Sequence, residues 1–186
     1  MLWSTDLDEP HRGRKQRKKN GMAVTVEKPN KRRILGIDPG VNITGYGVVD
    51  QVGRELTLVE AGVLRGGKGD LSLRCHKVFQ GLQDVLESLQ PDEMAIEQLY
   101  SHYQRPRTAI IMAHARGVLC LASSQRGIPI ADYASTQIKK VLTGNGRASK
   151  AQMQMAVCKE FQLTEVPEPP DVADALATAL CHAFLG

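Results

Sequence analysis

No run of eighteen apolar residues occurs in the sequence, so it offers no candidate transmembrane helix. The polar, basic N-terminus lacks an apolar leader, so a cytoplasmic setting is expected rather than secretion. No C-x-x-C pair is present. Cys75, Cys120, Cys158 and Cys181 are widely spaced in apolar surroundings and read as buried free thiols, which argues against a zinc site or a disulfide scaffold. No Ser–His–Asp or Cys–His arrangement stands out by spacing, which weakens the case for nucleophilic catalysis by a side chain. Repeats and low-complexity tracts are also missing. So is a strong charge on most of the chain. The net charge is +4, but residues 1–33 carry +6 and residues 34–186 carry −2. A nucleic-acid partner is permitted by this balance and not demanded by it.

What remains is a chain of 186 residues, 42% hydrophobic and 24% charged, suited to one domain with a real core. Residues 1–32 read as a basic, disordered arm in which Arg12, Arg14, Lys15, Arg17, Lys18 and Lys19 repel one another. The arm is either a tether to nucleic acid or a dispensable tail, with Met22 as an alternative start. Residues 33–186 read as the folded domain. Three strand-like runs, 33–38, 44–50 and 55–64, are joined by short turns and so read as antiparallel neighbours. A helix follows, capped by Asp70 or Ser72 and ended by Pro91, with Leu71, Cys75, Val78, Phe79, Leu82, Val85, Leu86 and Leu89 on one face. Met94-Ala95-Ile96 is a short strand. A helix rich in small residues follows over about 109–122, and a further strand is expected at 128–131. Three more helices complete the order: one through Ile138, one capped by Ser149, and one beginning at Asp171. The fold class is α/β: a mixed five-stranded sheet with helices on both faces.

Four carboxylates carry the chemistry. Asp38 closes the apolar run Ile34-Leu35-Gly36-Ile37, and Asp-Pro-Gly then forces a turn. Glu97 closes a second buried run. Asp171 and Asp174 stand three apart on a helix and so face one side. Taken alone, Asp38 suits a turn opener, and the last pair suits helix capping. Taken together, converging carboxylates cannot all ionise without cations. Hard oxygen donors suit Mg²⁺ or Mn²⁺, and two such ions activate water and stabilise a leaving oxygen in phosphodiester hydrolysis. His76, His114 and His182 lie in helix-like segments and read as packing or surface residues. His102 stands in the polar segment beside Tyr100.

At these residues the chain resembles the RuvC family of bacterial Holliday junction resolvases. The resemblance spans residues 33–186. It rests on Gly36-Ile37-Asp38-Pro39-Gly40 with Thr44-Gly45-Tyr46-Gly47, Ala95-Ile96-Glu97-Gln98, Ala115-Arg116-Gly117, Gln137-Ile138-Lys139, Lys150, and Asp171-x-x-Asp174-Ala175-Leu176-Ala177, in matching order and spacing. Each piece is weak by itself; the ordered set is specific. The resemblance implies an RNase H-like fold, a homodimer, and an endonuclease that nicks two opposed strands of a four-way DNA junction with two Mg²⁺ ions per site, for which Mn²⁺ substitutes. A branch-migration complex is a further implied partner. Carried over by position, Asp38, Glu97, Asp171 and Asp174 are metal ligands. Lys139 and Lys150 lie by the scissile phosphate, and Tyr100 stacks at the junction centre. Arg105, Arg107, Lys140 and Arg147 are expected DNA contacts from charge alone. The rivals are a kinase-like fold of the actin and sugar-kinase group, a related nuclease acting on another branched or hybrid substrate, and a non-catalytic junction-binding module.

Overall fold

The computed structural model describes residues 30–99 and 106–186. The arm before residue 30, and Tyr100, His102 and Arg105, lie outside the described residues. The element order expected from the sequence is the order found: β1 Lys31–Asp38, β2 Ile43–Val52, β3 Glu55–Arg65, α1 Leu71–Leu89, β4 Glu93–Glu97, α2 Pro106–Gln125, β5 Ile130–Tyr133, α3 Ser135–Thr143, α4 Lys150–Phe161 and α5 Pro170–Leu185. β1 starts two residues before the apolar run read from sequence. β5 is displaced from 128–131 to 130–133. Pro129 has no N–H to give to a ladder, so pairing with β4 begins at Ile130.

The five strands lie in the order β3-β2-β1-β4-β5. β1–β2 and β2–β3 are antiparallel, while β4 and β5 run parallel to β1. Alternation along the central strand divides the core. Ile34 faces a layer built from α3, α4 and α5, with Val49, Ala95, Leu176 and Leu180. Leu35 and Ile37 face the layer of α1 and α2, with Val48, Leu82, Met94 and Leu119. A two-residue period therefore sends Asp38, on the parity of Ile34, to the α5 side. Glu97 shares the parity of Ala95 and points the same way.

Helix α5 is the most deeply seated element, with eleven buried residues from Val172 to Ala183. Glycines on the sheet let it approach so closely. A Cβ at Gly36 would overlap the Ala175 carbonyl and Ala179, and one at Gly45 would overlap the Asp171 carbonyl. The far end of α5 is tied by polar contacts. The Tyr133 hydroxyl donates to His182 Nδ1 at 2.7 Å. His182 Nε2 donates to Glu93, and Arg32 reaches the same carboxylate at 3.5 Å. Gln51 Nε2 donates to the Ala183 carbonyl at 3.0 Å. His182 is thus a packing residue, as its segment suggested, with both ring nitrogens engaged.

α1 is capped by Asp70, whose side chain accepts from the Leu73 N–H at 2.8 Å. α4 is capped by Ser149 in a full capping box with Gln152. α5 differs. Its N-cap is Pro169, Pro170 is its first residue, and no side chain caps it. Asp171 therefore lies within the first turn and does no capping.

Candidate active site

The site is built at the end of the sheet where β1 and β4 finish. The last parallel pair is Ile37↔Ile96, so Asp38 and Glu97 sit side by side on adjacent strands. On the other flank Asp38 pairs with Gly45. Gly45 is the residue against which the Asp171 backbone rests, and this close approach sets the start of α5 one strand from Asp38. Asp174, one turn on, faces the same side as Asp171. Four carboxylates from three separate stretches of chain thus meet at one rim.

The electrostatics agree. Burial first, and then Glu97, Asp174 and Asp171, push the Asp38 carboxyl up to about 8, with Lys150 pulling the other way. Burial also raises Glu97, as does Asp174, while a hydrogen bond from Ser135 and the charge of Lys139 oppose the rise. Lys150 Nζ donates to Asp174 Oδ2 at 3.0 Å. Burial disfavours its ammonium, but that bond and the charges of Asp174, Asp171 and Asp38 outweigh it and raise its pKa.

Among the described residues, no three acidic, histidine or cysteine side chains already close around one point. One contact gives a reason: Asp174 leans onto Lys150. The donor set still fits a hard divalent cation. It is all oxygen, and Asp38 is held in a state that only a proton or a cation relieves. A cavity of about 660 Å³ opens beside Asp38 and Glu97, lined also by Leu99, Ala109, Met112 and Ser135. Its walls are apolar apart from these acids and a few small hydroxyls and amides, so charge within it is weakly screened.

Of the residues singled out in the sequence, Asp38, Glu97, Asp171, Asp174, Lys139 and Lys150 come together. Arg107 is exposed in the first turn of α2, on the opposite side of the helix from Ala109 of the cavity wall. Lys140 and Arg147 are exposed on α3 and on the turn before α4, at the edge of the site. Two residues had no role assigned from sequence. Ser135 lines the cavity with Glu97 and favours the charged form of that carboxylate. Thr44 is fully buried and grips the turn after Asp38, donating to the Gly40 carbonyl at 2.6 Å and accepting from the Gly40 N–H at 3.2 Å. A signal existed for Thr44, since a buried hydroxyl four residues past Pro-Gly needs a turn partner. For Ser135 the signal is weaker: it follows the strand that pairs with Glu97.

Comparison with known proteins was made on sequence and on structure. The family model described as crossover junction endodeoxyribonuclease RuvC matches residues 34–182. The chain is 50% identical over 167 residues to the crossover junction endodeoxyribonuclease RuvC of Rhodopirellula baltica, covering 89% of this chain and 94% of that one. It is 46% identical over 151 residues to the protein of that name from Desulforamulus reducens, covering 81% and 92%. Thermus thermophilus RuvC, solved in complex with Holliday junction substrate, aligns with a TM-score of 0.77 and 31% identity, covering 82% of this chain and 93% of that one.

Proposed function

The chain belongs to the RuvC family of crossover junction endodeoxyribonucleases, and we propose that its four carboxylates hold the divalent cations with which it cuts. The sheet and its two helix layers form an RNase H-like fold. The protein is an endonuclease that resolves four-way Holliday junctions in DNA. The finer assignments belong to this proposal. Asp38, Glu97, Asp171 and Asp174 are the ligands, and Mg²⁺ is the expected cation, two ions per site, with Mn²⁺ as a substitute. When bound, such ions supply an activated water and neutralise charge on the leaving oxygen.

The remaining work falls to the chain's own groups. Asp38 and Glu97 are held on strands, so their separation is set by the sheet and does not drift. Ser135, beside Glu97, favours the charged form of its carboxylate. Lys150, now on Asp174, is free to turn to the scissile phosphate once a cation takes over that carboxylate. Lys139 stands beside Glu97 as a second cation for the phosphate. Lys140, Arg147 and Arg107 line the approach and hold the backbone without reading sequence. Tyr100 is assigned to the junction centre by its position in the family's pattern, and Arg105 to a DNA contact by its charge alone. Hydrolysis leaves a 5′-phosphate and a 3′-hydroxyl.

A two-fold dimer suits a two-fold junction, because each subunit then meets one of two equivalent strands and the nicks are paired. The open face of α2 supports this pairing. Ile110 and Leu121 are 57% and 52% exposed there, on either side of Gly117, which has no described residue packed against it. A branch-migration complex fits as the partner that brings the crossover to the site. Among the described residues no helix is long and apolar enough to cross a membrane, and a cytoplasmic setting fits a DNA substrate.

The observation that carries the metal assignment is the Asp38 carboxyl, buried among three other acids and raised to about 8. The test is cleavage of a synthetic mobile four-way junction, with both nicks mapped. Asp38→Asn protein in Mg²⁺ is expected to bind the junction and to lose cleavage by at least about a thousandfold. Equal cutting by wild type and variant would refute the assignment.

A further inference from the structure

Lys139, Lys140, Arg147 and Lys150 all lie in the α3–α4 layer, on one side of the carboxylates. A second group of cations lies around the β3–α1 connection, at the outer edge of the sheet. Arg65 ends β3 and pairs with Ile43, so it stands at the same end of the sheet as Asp38. Beyond it the loop Gly66-Gly67-Lys68-Gly69 leads into α1, which adds Arg74 and Lys77. Arg65, Lys68 and Lys77 are exposed and Arg74 half-buried. Among the described residues none of the four meets a carboxylate within ion-pair distance. The nearest acid along the chain, Asp70, is occupied in capping α1, accepting from Leu73 N–H and from the Ser72 hydroxyl.

This loop is fastened to the turn that follows the catalytic aspartate. The Gly66 N–H donates to the Asn42 carbonyl at 3.0 Å. Arg74 Nη2 donates to the Asn42 side chain. Arg74 Nε is buried and has no partner among the described residues, which leaves one donor of the fork unused. Lys77 folds its ammonium back towards Gly67. Four cations without counter-charges are therefore held against the rim of the site. Unpaired cations in a row repel one another, and an anion of matching spacing relieves that. A nucleic-acid backbone is such an anion, and the adjoining site works on one.

We propose that Lys68, Arg74 and Lys77, with Arg65 at the sheet edge beside them, form a second phosphate-binding surface around the β3–α1 connection, which holds a duplex arm there while the α3–α4 cations hold the strand that is cut. This rests on the reading of the protein as a junction nuclease and adds to it a second grip on the substrate. Each protomer then touches two arms, so the arms are fixed relative to the carboxylates and not merely attracted to them. The contacts are to phosphates and carry no base specificity.

The test compares two triple variants of the full chain. Arg65→Gln/Lys68→Gln/Lys77→Gln removes the surface and leaves Arg74 to hold its loop. Arg54→Gln/Arg126→Gln/Lys159→Gln makes the same charge change away from the site. Binding of a synthetic four-way junction is followed by fluorescence anisotropy in EDTA between about 50 and 200 mM NaCl. Each lost phosphate contact lowers the slope of log K against log salt by about 0.9, so the first triple is expected to lower it by about two to three. Cleavage at sub-saturating protein should fall in step with binding. The second triple should leave slope and cleavage near wild type. Lys68→Glu alone, on an exposed loop, should shift binding the same way by less, and reads the surface even where the triple variant is unstable. Wild-type binding and cutting with equal slopes in both triples overturns this inference alone. A wild-type protein that neither binds nor cuts junctions overturns the function on which it rests.

Discussion

Helix α5 buries eleven residues, whereas α2, on the opposite face of the same sheet, leaves Ile110, Ile111 and Leu121 in solvent. Both helices are rich in small residues, and the two sets serve different ends. Around α5 the glycines belong to the sheet, and they let the helix backbone come down onto β1 and β2. In α2 the glycine belongs to the helix and faces nothing among the described residues. The first arrangement fixes Asp171 and Asp174 relative to Asp38. The second keeps a helix face low enough for another helix to lie against it. Precision within the protomer is on one side of the sheet, and an open apolar surface is on the other.

The sharpest way to break the contrast is to fill the space under α5. Gly45→Val places side-chain atoms where the Asp171 carbonyl already lies. We expect a stability loss of about 1–3 kcal/mol or more by urea unfolding. Displacing the carboxylates should also cut junction cleavage by about a hundredfold. A folded, fully active Gly45→Val protein would show that α5 does not need this seat. Next comes the open face. Ile110→Glu with Leu121→Glu should leave the fold intact and give a monomer by light scattering. Its nicks on the two strands should then become independent. A dimer that survives both changes would move the interface elsewhere.

A smaller effect concerns stability and pH. Asp38 titrates at about 8 in the folded protein and near 3.8 in an unfolded chain. The fold therefore holds this proton more tightly than the unfolded state. The stability it contributes is full below about pH 4 and is lost as pH rises through 8. In EDTA at pH 8, Asp38→Asn should accordingly be more stable than wild type, by about 1–2 kcal/mol. The difference should shrink towards pH 4, and Mg²⁺ should diminish or reverse it at pH 8. Thermal melts across that range check the sign. The smallest effect is expected from Gly117→Ala, made in the monomeric Ile110→Glu/Leu121→Glu background. With open space at that position, better helix propensity should add up to about 1 kcal/mol. Destabilisation instead would mean that the α2 face is packed within the protomer.

Much of this was legible in the sequence, for identifiable reasons. The order of elements followed from apolar periodicity and from caps such as Asp70 and Ser149. Asp38 and Glu97 stood out because a carboxylate that ends an apolar run is conspicuous. Asp171 and Asp174 were ambiguous, since the same spacing also suits capping. Pro169 at the N-cap removes that alternative for Asp171. The edge strand β5 was misplaced because Ile128 and Pro129 extend its apolar run, while its Asp132 is exposed and interrupts the pattern. The Tyr133–His182–Glu93 contacts were invisible. They join residues that are distant in sequence, and nothing local marks either partner.

The seating of α5 has a consequence during synthesis. Asp38 and Glu97 emerge from the ribosome early, on strands that can pair as soon as they are free. Asp171 and Asp174 arrive only with α5, which also supplies much of the core on its face of the sheet. A chain interrupted before Pro170 has two carboxylates and a bare sheet face, so it has neither a complete site nor a finished core. Truncated products are thereby disarmed: an enzyme that cuts chromosomal DNA acquires that ability only with the last helix needed to fold it.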